Sequence, residues 1–542
     1  MDVNQCIVKI IESLGVGHVF GGSGQVNASM LLALEKSESV KTVIVKNEQA
    51  ASFMACGYAM FSHKLGVCFA TGGPGAFNLF SGMAVAYSDS LPVLAITGYT
   101  SAALRGKGAL NESTGLSRTP DSHGMFGATT KKSFIIEAPE QTCDIMEEAV
   151  NLAFDGRPGP VHIHIPKDIT VAQVPEFRAV KLQVKPVAPD PAKVREAAAA
   201  LSSGKKPALL IGYGAVRAGA GEALTRLIEK TGIPFMTTMD AKGYLPENHP
   251  LSLGVFGTSG DKSANAYFDG CDTVLAIGNS FAENATFAFN PALYDGKTLI
   301  HVNIDPHELG KVYAPQIGIT GDGKLFAEAL LPLTEERPFV PVARHKFADE
   351  AINHEGQRIH PAALVREISK NLPPKAVVLG DAGAHMLWLN CYLSLEQGQI
   401  YQNPGSFGPM ASHVNASMGV ACANPDRPVV CACGDGDYLM AGFELLTAVE
   451  NNIPVVWVIF NNGEFNIIKK FLINMFGRHA YMRFKNPDYV KYAEACGAEG
   501  FRVTKTADFA GVFKKALAKR APVLIDAVVE QDVYPPFAMS RV

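Results

Sequence analysis

The sequence predicts an α/β protein with three doubly wound domains, each built on a parallel sheet. Short apolar runs rich in β-branched residues alternate with helical patterns along the 542 residues, which is typical of βαβ units. The length corresponds to about three or four domains of ordinary size. The 51 glycines and 33 prolines are dispersed and stand at the ends of the apolar runs, where tight turns are expected.

The first predicted domain covers residues 1–175. Residues 1–15 have the pattern of an amphipathic helix that carries Asp2, Lys9 and Glu12, which argues against a signal peptide or a membrane anchor. The following apolar runs predict strands at 42–46, 66–72, 92–98 and 161–169. Residues 175–193 contain four prolines and no helical period, so they predict a linker.

Two further domains are predicted at 190–335 and 355–542. Strands of the second are predicted at 208–214, 234–239, 272–278 and 298–306, and a second linker at 332–345. Strands of the third are predicted at 376–381, 428–439, 454–464 and 522–530. The alternation with helical segments continues throughout, so the same doubly wound architecture is expected three times.

Composition excludes several classes of function. Lys plus Arg is 48 and Asp plus Glu is 52, so the net charge of −4 argues against binding to nucleic acid or to an acidic membrane. The ten cysteines lie mostly inside apolar runs and form no CxxC pair, so we expect reduced thiols and a cytoplasmic location. Cys431 and Cys433 alternate as residues of a strand do, which favours a strand over a zinc site.

The strongest motif lies in residues 434–462. A buried strand runs into Gly434-Asp435-Gly436, a helix follows, and a second apolar strand ends at Asn461-Asn462. A glycine turn between strand and helix lets backbone N–H groups approach a phosphate. An Asp and an Asn at the ends of neighbouring strands supply hard oxygens that suit Mg²⁺. A plain turn and a strand-end cap are the alternative.

This spacing, GDG followed by 24 residues and NN, resembles the signature of thiamine-diphosphate-dependent enzymes. The resemblance implies side-chain ligation of Mg²⁺ by Asp435 and Asn462 and backbone-carbonyl ligation by Glu464. It places the bound cofactor, thiamine diphosphate, beside the turn residues Gly434, Gly436, Asp437 and Tyr438. The third domain would then bind the diphosphate, the first the pyrimidine ring, and the second would lie between them in the chain.

The same family resemblance locates the group that activates the cofactor. Residues 43–59 resemble the motif whose Glu hydrogen-bonds the aminopyrimidine ring, which assigns that role to Glu48. Gly73 and Asn78 match a GPGxxN element beside the cofactor. Gly408 would hold the pyrimidine amino group through its carbonyl, and Met410 would bend the cofactor. Glu48 could instead be an ordinary helix N-terminal acid, and Met410 could be core filler.

Within this family, the chain is most similar to the acetolactate synthase group. The similarity extends over essentially the whole chain and includes residues 156–168, 231–254 and 486–498. It implies decarboxylation of a pyruvate-like 2-oxo acid and transfer of the hydroxyalkyl carbanion to a carbonyl acceptor, in a homodimer or a dimer of dimers. A simple 2-oxo acid decarboxylase or an aldehyde or acyl-CoA lyase is the first alternative. A non-catalytic relative or a nucleotide-binding dehydrogenase is the second.

Several positions depart from that group. Residues 279–283 read Asn-Ser-Phe-Ala-Glu where FAD-binding members carry a basic and acidic string, so FAD is doubtful. Asp305 could bind a ribose, although a strand-terminating turn is the simpler interpretation. Gln25 is predicted to face the reacting centre. The other candidate pocket residues are Ile467, Ile468, Phe471 and His123, of which His123 could equally be a solvent-facing loop residue.

Overall fold

The computed structural model describes residues 1–352, 354 and 356–536, so the last six residues of the predicted third domain lie outside it. It contains three parallel sheets of six strands each, interleaved with helices. The predicted α/β architecture of three doubly wound units is therefore confirmed.

The N-terminal sheet has the strand order β2-β1-β3-β4-β6-β5. Its strands are β1 (His18–Gly21), β2 (Lys41–Ile44), β3 (Gly66–Ala70), β4 (Val93–Tyr99), β5 (Ser133–Ile135) and β6 (Val161–Pro166). The helices are α1 (Val3–Ser13), α2 (Ala28–Glu35), α3 (Glu48–Ser62), α4 (Pro74–Asn78), α5 (Phe80–Ser88), α6 (Ser122–Thr129) and α7 (Thr142–Phe154). Helix α1 is the predicted amphipathic helix, and Asp2 caps it by accepting the N–H of Gln5.

The middle sheet has the order β12-β11-β10-β7-β8-β9. Its strands are β7 (Pro207–Ile211), β8 (Phe235–Thr237), β9 (Ser252–Val255), β10 (Thr273–Ile277), β11 (Thr298–Asn303) and β12 (Ile317–Thr320). The helices are α8 (Pro191–Ser203), α9 (Tyr213–Arg217), α10 (Gly221–Thr231), α11 (Lys262–Gly270) and α12 (Gly323–Leu330). The strand order reverses between β7 and β10, which is where doubly wound sheets form their ligand crevice.

The C-terminal sheet has the order β14-β13-β15-β16-β18-β17. Its strands are β13 (Val377–Gly380), β14 (Ile400–Gln402), β15 (Val429–Gly434), β16 (Val455–Asn461), β17 (Glu499–Val503) and β18 (Val523–Val528). The helices are α13 (Pro361–Asn371), α14 (Ala384–Tyr392), α15 (Ser412–Ala423), α16 (Asp435–Ala441), α17 (Glu444–Glu450), α18 (Asn466–Phe476), α19 (Tyr489–Ala495) and α20 (Thr506–Ala518).

Helices α3 and α15 join the N-terminal and C-terminal domains by close backbone packing. A Cβ atom at Gly57 would lie 2.1 Å from the Ala416 carbonyl oxygen, and one at Gly419 would lie 1.9 Å from that of Met54. Both positions therefore require glycine. The buried apolar residues of the two domains form one continuous core, which fixes each domain against the other.

The described helices are short, and α3, for example, has 15 residues. Among them, none has both the length and the apolar run needed to cross a bilayer.

Candidate active site

The two halves of the predicted metal motif meet at one edge of the C-terminal sheet. Strands β15 and β16 are adjacent and parallel, and Gly434 pairs with Phe460. The two segments that follow these strands therefore leave the sheet at the same edge. The Asp435 carboxylate then accepts the N–H groups of Asn462 at 3.0 Å and Gly463 at 2.6 Å through Oδ2. Burial raises the pKa of Asp435, and these N–H donors oppose that shift.

A cavity of about 260 Å³ opens beside this loop. Its described lining residues all come from the C-terminal domain, between Pro361 and Val533. The predicted site residues that line it are Gly408, Met410, Gly434, Asp435, Gly436, Asp437, Asn462, Glu464, Ile467 and Ile468. Most of the residues assigned to the diphosphate and metal end therefore share one concave surface.

Glycines keep this cavity open. A Cβ atom at Gly436 would lie 3.1 Å from Met410 Cε and 2.8 Å from the ring of Phe465. One at Gly434 would lie 2.9 Å from Asp437 Oδ2 and 3.1 Å from His385 Nδ1. A larger residue at either position would crowd the space beside the turn, where the family resemblance places the diphosphate.

Glu48 and its neighbours form a second group at the edge of the N-terminal sheet. Glu48 begins helix α3, is half-buried, and accepts the side-chain N–H of Asn78 at 2.9 Å through Oε2. A Cβ atom at Gly75 would lie 3.0 Å from its Oε1. Gly73 has φ +60° and lies against the Asn111 carbonyl, which only glycine tolerates readily. Gln25 is exposed in the loop after β1.

This second group does not line the C-terminal cavity. Glu48, Gly73, Asn78 and Gln25 all belong to the N-terminal domain, whereas the described lining of the cavity is C-terminal. Within one chain, the residues assigned to the pyrimidine ring and those assigned to the diphosphate are therefore two separate half-sites.

Three other predicted residues also lie apart from the cavity lining. His123 hydrogen-bonds Ser133 Oγ at 3.0 Å, and this hydroxyl also bonds the buried His162 at 2.8 Å. Tyr438 is buried, with its ring edge-on to Tyr489. Phe471 is about half exposed on α18.

Three family models match the chain in sequence order. Residues 1–118 match the thiamine pyrophosphate enzyme N-terminal TPP binding domain, residues 194–330 the central domain, and residues 381–527 the C-terminal TPP binding domain. The chain belongs to the thiamine pyrophosphate enzyme family. Thiamine pyrophosphate is the same molecule as thiamine diphosphate, so the family resemblance drawn from the motifs is confirmed.

Several relatives align with this chain over nearly its whole length. The acetolactate synthase large subunit of Corynebacterium glutamicum is 32% identical over 97% of this chain and 87% of its own length. The probable acetolactate synthase large subunit of Methanocaldococcus jannaschii is 32% identical over 97% and 91%. The acetolactate synthase isozyme 2 large subunit of Escherichia coli is 31% identical over 98% and 96%. The chain is thus a thiamine-pyrophosphate-dependent, acetolactate synthase-like enzyme of the transferase or lyase type.

The structure of this thiamine pyrophosphate enzyme also brings residues to the cavity that motif spacing did not single out. His385 is buried near the start of α14 and lines the cavity. Its Nε2 lies 3.2 Å from Asp437 Oδ2, outside hydrogen-bonding geometry, and has no hydrogen-bond partner among the described residues. Burial lowers the pKa of His385 to about 3 and raises that of Asp437. The glycine turn before α14, Gly383, was the available signal.

An ion cluster centred on the buried Lys469 stabilises the loop that follows β16. Lys469 Nζ lies 2.6 Å from Glu464 Oε2 and also contacts the Asp532 carboxylate, while Asn466 donates to Glu464 Oε1 at 3.0 Å. Burial alone would lower the pKa of Lys469, but the carboxylates of Asp532 and Glu464 raise it. The Glu464 side chain thus fixes the loop. Its backbone carbonyl, which the family resemblance assigns to the metal, accepts the N–H of Asn466 at 2.9 Å.

A second cavity, of about 330 Å³, lies at the strand-order reversal of the middle domain. Asn279 Nδ2 and Thr238 Oγ1 are buried on its lining and have no hydrogen-bond partner among the described residues.

Asp305 caps the turn after β11 by accepting the N–H of His307 at 3.0 Å, as the simpler interpretation of this residue predicted. Neither the family models nor the names of the relatives bear on FAD, so the doubt about FAD binding stays a prediction.

Proposed function

We propose that this enzyme uses thiamine diphosphate and Mg²⁺ to decarboxylate a pyruvate-like 2-oxo acid and to transfer the hydroxyalkyl fragment to a carbonyl acceptor. The contact of the Asp435 carboxylate with Asn462 and Gly463, beside a glycine-lined cavity, carries the proposal. The names of the acetolactate synthase relatives support the choice of reaction. Ten free cysteines, nine of them buried, support a reducing cytoplasmic location.

The residues of the loop after β16 fit Mg²⁺, and Asp435, Asn462 and Glu464 would hold it. Asp435 Oδ2 takes the N–H groups of the loop and the amide of Asn486, whereas Oδ1 accepts only that of Gly436 at 2.9 Å among the described residues. One carboxylate oxygen is therefore oriented and still able to bind a cation. The Asn462 side chain and the Glu464 carbonyl add the hard oxygens that Mg²⁺ prefers.

Thiamine diphosphate, when bound, supplies the electron sink for decarboxylation. Glu48 would hold or release a proton at Oε1, while Asn78 keeps Oε2 in place. Gly408 and Met410 would position the cofactor, and Ile467 and Ile468 would exclude water from the reacting atoms. Gln25 is the polar group that we assign to the substrate side.

A second copy of the chain completes the active site in this proposal. The Glu48 half-site and the Asp435 half-site belong to one chain but to different surfaces. Beside the cavity, α18 has an exposed apolar face that consists of Ile468, Phe471 and Met475. A second exposed apolar group consists of Met440 in α16 and Phe443 just after it. Exposed apolar faces of this extent are typical of protein interfaces. We therefore infer a homodimer or a dimer of such dimers.

A simple decarboxylase or lyase with the same cofactor is the second candidate. Glu530 lines the cavity, and its Oε1 lies 3.4 Å from His354 Nδ1. A carboxyl group paired with an imidazole could deliver the proton that such an enzyme places on its product. Incubation with pyruvate alone separates the candidates. Acetolactate supports the first, whereas acetaldehyde without acetolactate would exclude it in favour of the second.

FAD is not part of the proposal. Asn279, at the position of the family's charged string, accepts the N–H of Phe281 at 2.7 Å through Oδ1 and thus shapes its own loop. Purified enzyme that shows thiamine-diphosphate-dependent turnover without flavin absorbance is the expected result, and stoichiometric bound flavin would contradict it.

A further inference from the structure

Glu444 connects the C-terminal domain to the segment just before Glu48. It is the first residue of α17 and only 3% exposed. Its Oε1 accepts the backbone N–H groups of Lys46 at 3.0 Å and Asn47 at 2.9 Å. Its Oε2 accepts the hydroxyl of Thr447 at 2.6 Å. One carboxylate therefore holds two consecutive peptide groups of another domain.

These two peptide groups determine where helix α3 begins. Asn47 is extended, with φ −143° and ψ 131°, and its side-chain Oδ1 accepts the N–H of Gln49 at 2.9 Å. The Asn47 side chain thus caps α3 while its backbone N–H is held by Glu444. Glu48 is the next residue, so the direction in which its carboxyl leaves the backbone depends on both contacts.

Glu444 does not belong to the cofactor cavity. It is absent from the described lining, and its polar contacts are to Lys46, Asn47 and Thr447. Burial raises the pKa of Glu444, and the hydrogen bonds from Thr447 and the two N–H groups offset part of that shift. The hydrogen bonds of this buried carboxyl go to two backbone N–H groups and one hydroxyl, which indicates a role in placement rather than in chemistry.

We propose that Glu444 is a positioning residue that aims the Glu48 carboxyl at the cofactor by fixing the Lys46–Asn47 backbone. This inference rests on the proposed function of Glu48. A displacement of about 1 Å at a reacting group can cost about 100-fold in rate. Loss of the Glu444 acceptor should therefore reduce turnover without removing any cofactor contact.

Glu450 offers a matched control on the same helix. Its Oε2 lies 2.6 Å from Lys46 Nζ, but the two side chains are 54% and 33% exposed. An exposed ion pair of this kind contributes little to structure. Glu450→Ala therefore removes a carboxylate next to the same lysine without releasing the backbone.

The experiment compares Glu444→Ala, Glu444→Gln, Glu450→Ala, Glu48→Ala and the double variant Glu48→Ala/Glu444→Ala in the full-length chain. We expect Glu444→Ala to lower kcat roughly 10- to 100-fold with unchanged cofactor affinity. Because Lys46 and Asn47 are exposed, water can satisfy their released N–H groups and the fold should persist. Gln retains an acceptor oxygen, so Glu444→Gln should recover much of the loss. Glu450→Ala should behave as the wild type.

Two further readouts separate positioning from a general structural effect. Amide hydrogen exchange of cofactor-free protein should rise in peptides containing Lys46 and Asn47 for Glu444→Ala and not for Glu450→Ala. In the Glu48→Ala background, Glu444→Ala should change the residual rate by less than about twofold, because it acts through Glu48.

The outcomes distinguish this inference from the proposed function. Wild-type turnover in Glu48→Ala would refute the role assigned to Glu48. An inactive Glu48→Ala together with wild-type turnover and exchange in Glu444→Ala would refute positioning by Glu444 alone. An undiminished Glu444→Ala effect in the Glu48→Ala background would also refute it.

Discussion

Lys469 of α18 and Glu464 of the loop before it form an ion pair of 2.6 Å, with both side chains almost completely excluded from solvent. Removal of one member of a buried pair costs about 3–5 kcal/mol when the remaining charge has no other partner. Here the exposed Arg483, 3.7 Å from Glu464 Oε2, would offset part of that cost. We therefore expect Lys469→Met to lower the melting temperature and to increase proteolysis around α18. Glu464→Gln/Lys469→Met, which removes both charges, should recover much of the loss. A single variant as stable as the wild type would contradict this assignment.

Replacement of Asp435 should abolish metal-dependent cofactor binding. The carboxylate organises the N–H groups of Asn462 and Gly463 and is the charged oxygen donor assigned to Mg²⁺. Cofactor with Mg²⁺ should raise the melting temperature of the wild type, because a ligand stabilises the state that binds it, and should leave Asp435→Ala unchanged. Asp488→Asn, at an exposed helix cap, should retain the shift. A full shift in Asp435→Ala would remove Asp435 from the metal site.

Glu48→Gln should separate binding from turnover. Gln can accept the hydrogen bond that Asn78 now donates to Oε2, so the local structure and cofactor affinity should persist. The amide cannot exchange a proton as the carboxyl does, so kcat should fall by about 100-fold or more. Calorimetric cofactor titration and steady-state rates measure the two effects. Weakened cofactor binding in proportion to the rate would indicate a binding role instead.

The sequence identifies the central strands much better than the edges of the three sheets. Residues assigned to β5, β9, β12, β14 and β17 were not recognised as strands, and all five stand at sheet edges. Edge strands are short or only partly covered, as in Ser133–Ile135 and Glu499–Val503, so they lack a continuous apolar run. Strand β1 was also missed, because it has only four residues and ends at Gly21, directly before Gly22, which lies against the Glu48 side chain.

The candidate site likewise contains some residues that the sequence could predict and others that it could not. Asp435 and Asn462 could be predicted together because their spacing places them at the ends of adjacent parallel strands. The contact between Glu444 and Lys46 joins residues 398 positions apart and follows no local pattern. Lys469 could not be recognised as buried either, since an isolated lysine on a helix is normally solvent-exposed. Such contacts depend on how the domains pack.

Two half-buried carboxyls, Asp89 and Asp240, line the second cavity and should make stability depend on pH. Burial, and then the neighbouring Asp240, raises the pKa of Asp89 to about 7, and burial raises that of Asp240 to about 6. Both values exceed the unfolded value of about 3.9, so their stabilising contribution is complete below that pH and is lost as pH rises through about 6 and 7.

Asp89→Asn should remove part of this pH dependence. Its melting temperature should fall less than that of the wild type between about pH 5 and about pH 8, because the amide does not ionise. Asp144→Asn, an exposed control on α7, should leave the wild-type profile unchanged. Identical profiles for Asp89→Asn and the wild type would show that Asp89 does not titrate in this range.

Two inactive variants should restore activity when they share one dimer. Glu48 and Asp435 lie in separate half-sites of one chain. In the proposed dimer, Glu48→Gln and Asp435→Ala therefore each inactivate a different half of the active site. A hybrid dimer contains one site in which Glu48 of the Asp435→Ala chain faces Asp435 of the Glu48→Gln chain, and that site is intact. Co-expression with two affinity tags and purification through both should therefore give substantial turnover, whereas either homodimer should remain inactive. An inactive hybrid of confirmed composition would mean that each chain forms its own complete site.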